Sequence, residues 1–290
     1  MNRLHFLMDK GIVLHGLAAV GYALLMAIAW RVTATQPAAR PTWYERFGLA
    51  LVLIVHGWGL QQLILPQGHL HFGFASSVSI TVWLGMLVFW FESLWVSIGG
   101  FRLWALPLGI LATLLPLAFP TTQIVASADS GWLRIHLGLA LSAYCLVSVA
   151  ALHAILMATS DRHLHQLGAD SRADGSPSWR ARMLDALPPL LALESLLFRL
   201  IWIGFILLTL AIVSGSLVSI GLTGNILTFD HKVVFTLLSW ITFGLLLIGR
   251  QLRGWRGKTA LHWTLTGFAL LLLAYTGTRF VMEVVLPIRA

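Results

Sequence analysis

Long apolar runs alternate with short polar stretches along the chain. Eight runs stand out, at about 11–30, 47–65, 75–97, 102–119, 133–158, 196–220, 232–249 and 261–286. Each approaches the roughly 20 mostly apolar residues that a helix needs to cross a bilayer. None alternates at period two between turn signals, which argues against a barrel. The pattern predicts an all-α, polytopic membrane bundle with about eight transmembrane helices. Pro107 and Pro116 share the fourth run and are expected to bend it. The one long polar stretch, 159–195, reads as a flexible inner loop. From Trp179 onward it mixes Arg180 and Arg182 with Leu184, Leu187, Leu190, Leu191 and Leu193, which suits a short helix lying on the inner interface.

Eight crossings place both termini on one side. That side carries Arg3, Lys10, Arg134, Lys232, Arg279 and Arg289, and the other side the remaining 13 of the 19 Lys and Arg. Positive charge collects in cytoplasmic loops, so both termini face outward; the inner (cytoplasmic) membrane is the expected host. The chain is 58% hydrophobic and 10% charged, against about 25% charged in soluble domains. With the basic residues confined to loops between apolar runs, the pI of 10.6 reports topology and excludes nucleic acid as the partner. The lipid bilayer is the partner that composition implies. Nothing at the start of the chain reads as a cleaved signal peptide.

Cys145 is the single cysteine. That excludes an intrachain disulfide, a C-x-x-C redox pair and covalent haem attachment. There is no H-E-x-x-H, no phosphate-cradling glycine loop and no nucleophile–base set, so a binding protein is expected ahead of an enzyme.

Histidine is the informative residue type, with 11 in the chain. His136, in WLRIHLGLALSAY, stands about one turn inside the outer end of the fifth run, beside Arg134. His231 opens the seventh run between Asp230 and Lys232. The two share a similar depth. Neutral imidazoles from two helices can clamp haem iron. Arg134, Lys232 and Arg279 lie at the same level, where basic groups would meet haem propionates. The residues alone leave two readings open, a ligand pair or headgroup hydrogen bonds at the membrane interface. His56, in LVLIVHGWGLQQ, lies near mid-membrane. An intramembrane histidine is a functional candidate by default, with a hydrogen bond to a neighbouring helix, through Gln61 or Gln62, as its alternative. His153 stands 17 residues beyond His136, about 25 Å along a helix, too far to share one iron. Glu194 and Arg199 are expected to anchor the sixth helix together.

Residues from about 75 to 286 resemble the cytochrome c assembly (CcsA/CcmC/HemX-like) family, in its HemX-like or YpjD-like branch. The resemblance is carried by SSVSITVWLGMLVFWFES, by WLRIHLGLALSAYCLVSVAALHAILM and by LLSWITFGLLLIGRQLRGWRGKTALHWTLTGFALLLLAYTG. In the last stretch and the helix start just before it, Asp230, Lys232, Trp240, Gly254, Trp255, Arg256, Gly257, Gly267 and Phe268 match the family pattern. The resemblance implies a haem-handling membrane protein that binds haem b non-covalently near the outer face. His136 matches one of the family's outer ligands. It also implies a division into an N-terminal helix pair, 1–74, and a haem-handling core, 75–290. Apocytochrome c or another membrane protein is then the expected partner.

Two departures stand out. The family's tryptophan-rich W-D-P-K-E loop is reduced to Phe229, Asp230, His231 and Lys232, and Arg279 and Glu283 occupy the place of the second outer histidine. His231 is the candidate to replace that ligand. Alternative readings are a scaffold or regulator, for instance of tetrapyrrole synthesis, that does not transfer haem, and a transporter. No inverted repeat or broken-helix pair supports the transporter.

Overall fold

The computed structural model describes residues 2–35, 41–65, 71–95, 101–119, 123–124, 131–169, 187, 189–224 and 231–274. They form eight helices: α1 (Asn2–Thr35), α2 (Trp43–Ile64), α3 (Phe74–Trp95), α4 (Arg102–Ala118), α5 (Gly131–Ala169), α6 (Leu190–Thr223), α7 (His231–Arg253) and α8 (Gly257–Leu272). All but α4 and α8 are long and apolar enough to span a membrane by themselves. The 17 residues of α4 run unbroken through Pro107 and Pro116. The protein is an all-helical, multi-pass membrane bundle, as the apolar runs predict.

Two helices differ from expectation at the inner end. Residues 159–169, read from sequence as the start of a loop, continue α5, which reaches 39 residues. No proline interrupts that stretch, and Asp161 and His165 meet at i,i+4 spacing on its exposed side, 3.6 Å apart. Leu190, Leu191 and Leu193, read as part of an interfacial helix, instead open α6, whose first turn follows Pro189. Proline suits that place because a helix leaves its first N–H groups unbonded. Trp179, Arg180, Arg182 and Leu184 lie outside the described residues.

The helices pack as two rings of four. In the first, α1 packs on α2 and α4, and α3 on α2 and α4. Its core holds Ala18, Tyr22, Leu49, Leu53, Met86, Leu103 and Leu106. In the second, α5 packs on α6 and α8, and α7 on both α6 and α8. Its core holds Ala143, Val147, Leu197, Ile201, Leu208, Phe243 and Leu246. The rings meet where α3 packs on α5. Outward positions are apolar as well: Leu17, Leu24, Phe47, Ile54, Val213 and Ile248 are each more than half exposed. In water such a surface would aggregate; against acyl chains it is the expected coat.

Links at the two ends confirm the alternation of the helices. The two-residue strands β1 (His71–Phe72) and β2 (Gln123–Ile124) pair antiparallel, His71 opposite Ile124. They tie the α2–α3 and α4–α5 connections together at one end. At the other end Arg102 Nη1 meets Glu45 Oε1 at 2.8 Å, both side chains buried. Glu45 also closes the start of α2, accepting from the Thr42 N–H at 2.7 Å and from its hydroxyl at 2.9 Å. Arg256 Nε meets Glu194 Oε1 at 3.1 Å at that same end. Glu194 therefore anchors α6 through Arg256, not through the expected Arg199.

The turn from α7 to α8 explains the G-W-R-G stretch. Gly254 has φ +65° and Gly257 φ +53°, a left-handed conformation that costs other residues about 1–2 kcal/mol. The Gly254 N–H caps α7 by donating to the Arg250 carbonyl at 3.0 Å. The turn folds Trp255 back over Gly249, where any side chain would strike its ring. Trp255 also stacks on Trp263 at 5.2 Å between centroids. Arg256 is thereby aimed at Glu194.

Candidate functional site at the outer end of the second ring

A cavity of about 320 Å³ opens among α5, α6, α7 and α8, at the ends opposite the Arg256–Glu194 pair. Its wall is mainly aliphatic, with Leu137, Leu141, Leu208, Ile212 and Leu271. His136, Tyr144, Ser216, Thr236 and Lys232 add polar points. The volume lies at the lower end of the roughly 300–1,000 Å³ of small-molecule sites.

His136 is held there by two features of α6. Its Nδ1 lies 3.1 Å from Ser214 Oγ, and the Ser214 hydroxyl donates to the Ala211 carbonyl at 3.1 Å. The direction of the His136–Ser214 bond depends on the ring tautomer: a Ser214 hydroxyl that donates to Ala211 accepts from the ring. In that arrangement the proton sits on Nδ1, and Nε2 keeps its lone pair. Gly215 provides the space, since a Cβ on it would stand 2.9 Å from His136 Cε1. This α6 support was not legible from sequence. The S-G-S spacing at 214–216 is its only trace.

The other sequence candidates are placed as follows. Lys232 shares the cavity wall with His136. His231 is exposed at the first residue of α7 and is not part of the wall. Arg134 is exposed on the first turn of α5. Asp230, Arg279 and Glu283 lie outside the described residues. His56 is fully buried in the first ring. Its Nδ1 meets the Tyr22 hydroxyl at 3.1 Å and its Nε2 meets Ser79 Oγ at 3.0 Å. Both ring nitrogens are thus engaged, by α1 and α3 and not by the glutamines considered from sequence. His15 packs edge-on against His56, 5.6 Å between centroids. His153 stacks on Phe101 at 4.4 Å and bonds the Val149 carbonyl at 2.9 Å.

The tryptophans of α3 brace the first ring. Trp83 Nε1 donates to the Leu53 carbonyl at 2.8 Å and Trp90 Nε1 to the Arg46 carbonyl at 2.9 Å. Trp240 pins α7 to α6 through Thr209 Oγ1 at 2.9 Å and stacks on Phe205 at 5.5 Å.

The residues present fit a haem in three respects. One imidazole has its outer nitrogen fixed by a hydrogen bond, the usual arrangement of a metal-binding histidine. The wall is apolar, as a porphyrin face requires. A lysine stands on that wall to meet a carboxylate. Among the described residues no cluster of three or more His, Cys, Asp or Glu is placed to hold a bare metal ion.

The cytochrome c assembly protein family model matches residues 47–286, starting inside α2. The inner membrane protein YpjD of Escherichia coli K12 is 27% identical over 245 residues, covering 81% of this chain and 85% of that protein. The cytochrome c biogenesis protein CcsA of Prochlorococcus marinus is 25% identical over 172 residues, 55% of this chain and 54% of that protein. The CcsA of Chlamydomonas reinhardtii is 25% identical over 162 residues, 56% of this chain and 42% of that protein. No solved structure matches. With a family model spanning α2 to the end of the last apolar run, this multi-pass membrane protein belongs to the cytochrome c assembly protein family.

Proposed function

We propose that the protein binds haem b in the outer-end cavity and either passes it on or uses it to stabilise a partner. The observation that carries this reading is the His136 Nδ1–Ser214 Oγ contact at the cavity wall, which leaves Nε2 for iron when the ring donates to the serine. Haem supplies a redox-active iron and two propionates. His136 would hold the iron through Nε2, and the aliphatic faces of α5, α6 and α8 would keep water from the ring. Lys232 meets a propionate, with Arg134 on the first turn of α5 and Asp230 and Arg279 as further candidates from the sequence. His231, one residue from Lys232 and exposed, reaches in from the rim as the second ligand. His56 stays a buried brace of the first ring.

In this reading residues 75–290 form the haem-handling core and 1–74 support it. The family and the name of the Escherichia coli relative favour the inner membrane, with the cavity on the outer face. An apocytochrome c or another membrane protein is the partner.

The test is a haem titration of the detergent-purified full chain, followed by absorption spectra in both oxidation states. One haem per chain with a six-coordinate, low-spin spectrum is expected. His231→Ala should leave the haem bound and convert it to a five-coordinate spectrum. A wild-type chain that binds no haem contradicts the reading.

A further inference from the structure

A second cavity of about 450 Å³ lies on the opposite flank of α5, between α3 and α6, toward the inner end. It shares no lining residue with the outer cavity. On α3 its wall runs through residues 84, 87, 88, 91 and 92, one face of the helix. The floor is buried, with Leu146 and Leu200. The rim faces the bilayer, with Phe91 52% and Ile203 45% exposed.

Two charged groups stand on this otherwise apolar wall. Glu92 is half-buried on α3 and Arg199 is exposed on α6. Both line the same cleft. Even so, among the described residues neither forms an ion pair or a side-chain hydrogen bond. Ionisable groups within a membrane-spanning helix are costly and mark a site by default. Arg199 stands five residues beyond Glu194, about 7–8 Å deeper along α6. A guanidinium at that depth extends toward the headgroup level.

We infer that this cleft is a binding site for a zwitterionic phospholipid of the inner leaflet with a primary-amine headgroup, a phosphatidylethanolamine. The acyl chain lies along the α3–α5–α6 groove, Arg199 takes the phosphate in its planar fork, and Glu92 takes the ammonium. The charge pattern selects among lipids. Glu92 repels a headgroup that is only anionic, and the methylated ammonium of phosphatidylcholine has no N–H to give it.

The experiment is native mass spectrometry of the full chain in detergent, with phosphatidylethanolamine, phosphatidylcholine and phosphatidylglycerol of one acyl composition added in equal amounts. The wild type should retain one phosphatidylethanolamine, about tenfold over either competitor, as a charge-assisted hydrogen bond supplies. Glu92→Gln keeps the side-chain volume and should bring phosphatidylethanolamine down to the phosphatidylcholine level. Arg199→Gln should lose all three. The proposal is overturned if the wild type prefers phosphatidylglycerol or shows no preference. It is also overturned if Glu92→Gln keeps the wild-type selectivity. Should Arg199→Gln fail to fold, the wild-type and Glu92→Gln measurements decide alone.

Discussion

His136 on α5 and Ser214 on α6 are joined by a hydrogen bond of 3.1 Å across 78 residues of sequence. That bond occupies Nδ1 and leaves Nε2 as the nitrogen that can ligate. Replacing Ser214 by Ala removes the acceptor and lets the ring turn. Losing such a support typically weakens metal binding about 10- to 100-fold. Equilibrium haem titration should show a loss in that range, with thermal stability little changed. Unaltered affinity would mean that the serine does not orient the ligand.

Gly215 gives a steric counterpart. An alanine there would press on His136, because its Cβ would lie 2.9 Å from Cε1. Gly215→Ala should displace the imidazole and weaken haem retention at least as much as Ser214→Ala. Gly138→Ala serves as the control, since no atom lies within 4 Å of its Cβ position. It should retain haem at the wild-type level. Equal losses in both variants would remove the steric argument.

The Arg102–Glu45 pair is buried, with 5% and 8% of the side chains exposed. Removing one partner strands a buried charge, at about 3–5 kcal/mol. Arg102→Ala should therefore lower the unfolding midpoint in detergent sharply. Arg102→Met combined with Glu45→Met should recover most of that loss, because an apolar pair leaves no charge unpaired. A double variant as unstable as the single would show that the pair itself is needed.

Gly254 sits at φ +65°. Alanine there should cost about 1–2 kcal/mol, seen as a lower unfolding midpoint. Its haem affinity should stay unchanged, because the turn lies at the end away from the outer cavity. A selective loss of haem with full stability would place the G-W-R-G turn in the site instead.

The helices were legible because lipid demands long apolar runs, and seven of the eight predicted starts fall within six residues of the observed ones. The ends were less legible: α5 reaches Ala169 because nothing in 159–167 breaks a helix, although its polarity suggests a loop. Tertiary partners were not legible at all. Glu45 and Arg102 are 57 residues apart and no periodicity links them. Likewise His56 finds Tyr22 and Ser79 only because α1, α2 and α3 converge. Of the candidate site, His136 and Lys232 meet on one cavity wall, whereas the serine and glycine that hold His136 carry no chemical signature in a sequence.

Much of the motif that carries the family resemblance serves packing. Trp240 pins α7 to α6. Gly254 and Gly257 make the turn, and Trp255 and Arg256 fasten it to Trp263 and Glu194. Gly267 lets α8 approach Phe243, since a Cβ there would stand 2.7 Å from that ring. These positions argue for a shared bundle geometry. The proposed haem binding rests on the outer cavity instead.

The decisive measurement is the reduced-minus-oxidised absorption spectrum of haem-loaded, detergent-purified His136→Ala beside the wild type and His56→Ala. The haem band should be lost from His136→Ala and kept in full by His56→Ala, whose ring is occupied inside the first ring of helices. A His136→Ala protein that folds and keeps the complete wild-type band would contradict the assigned site.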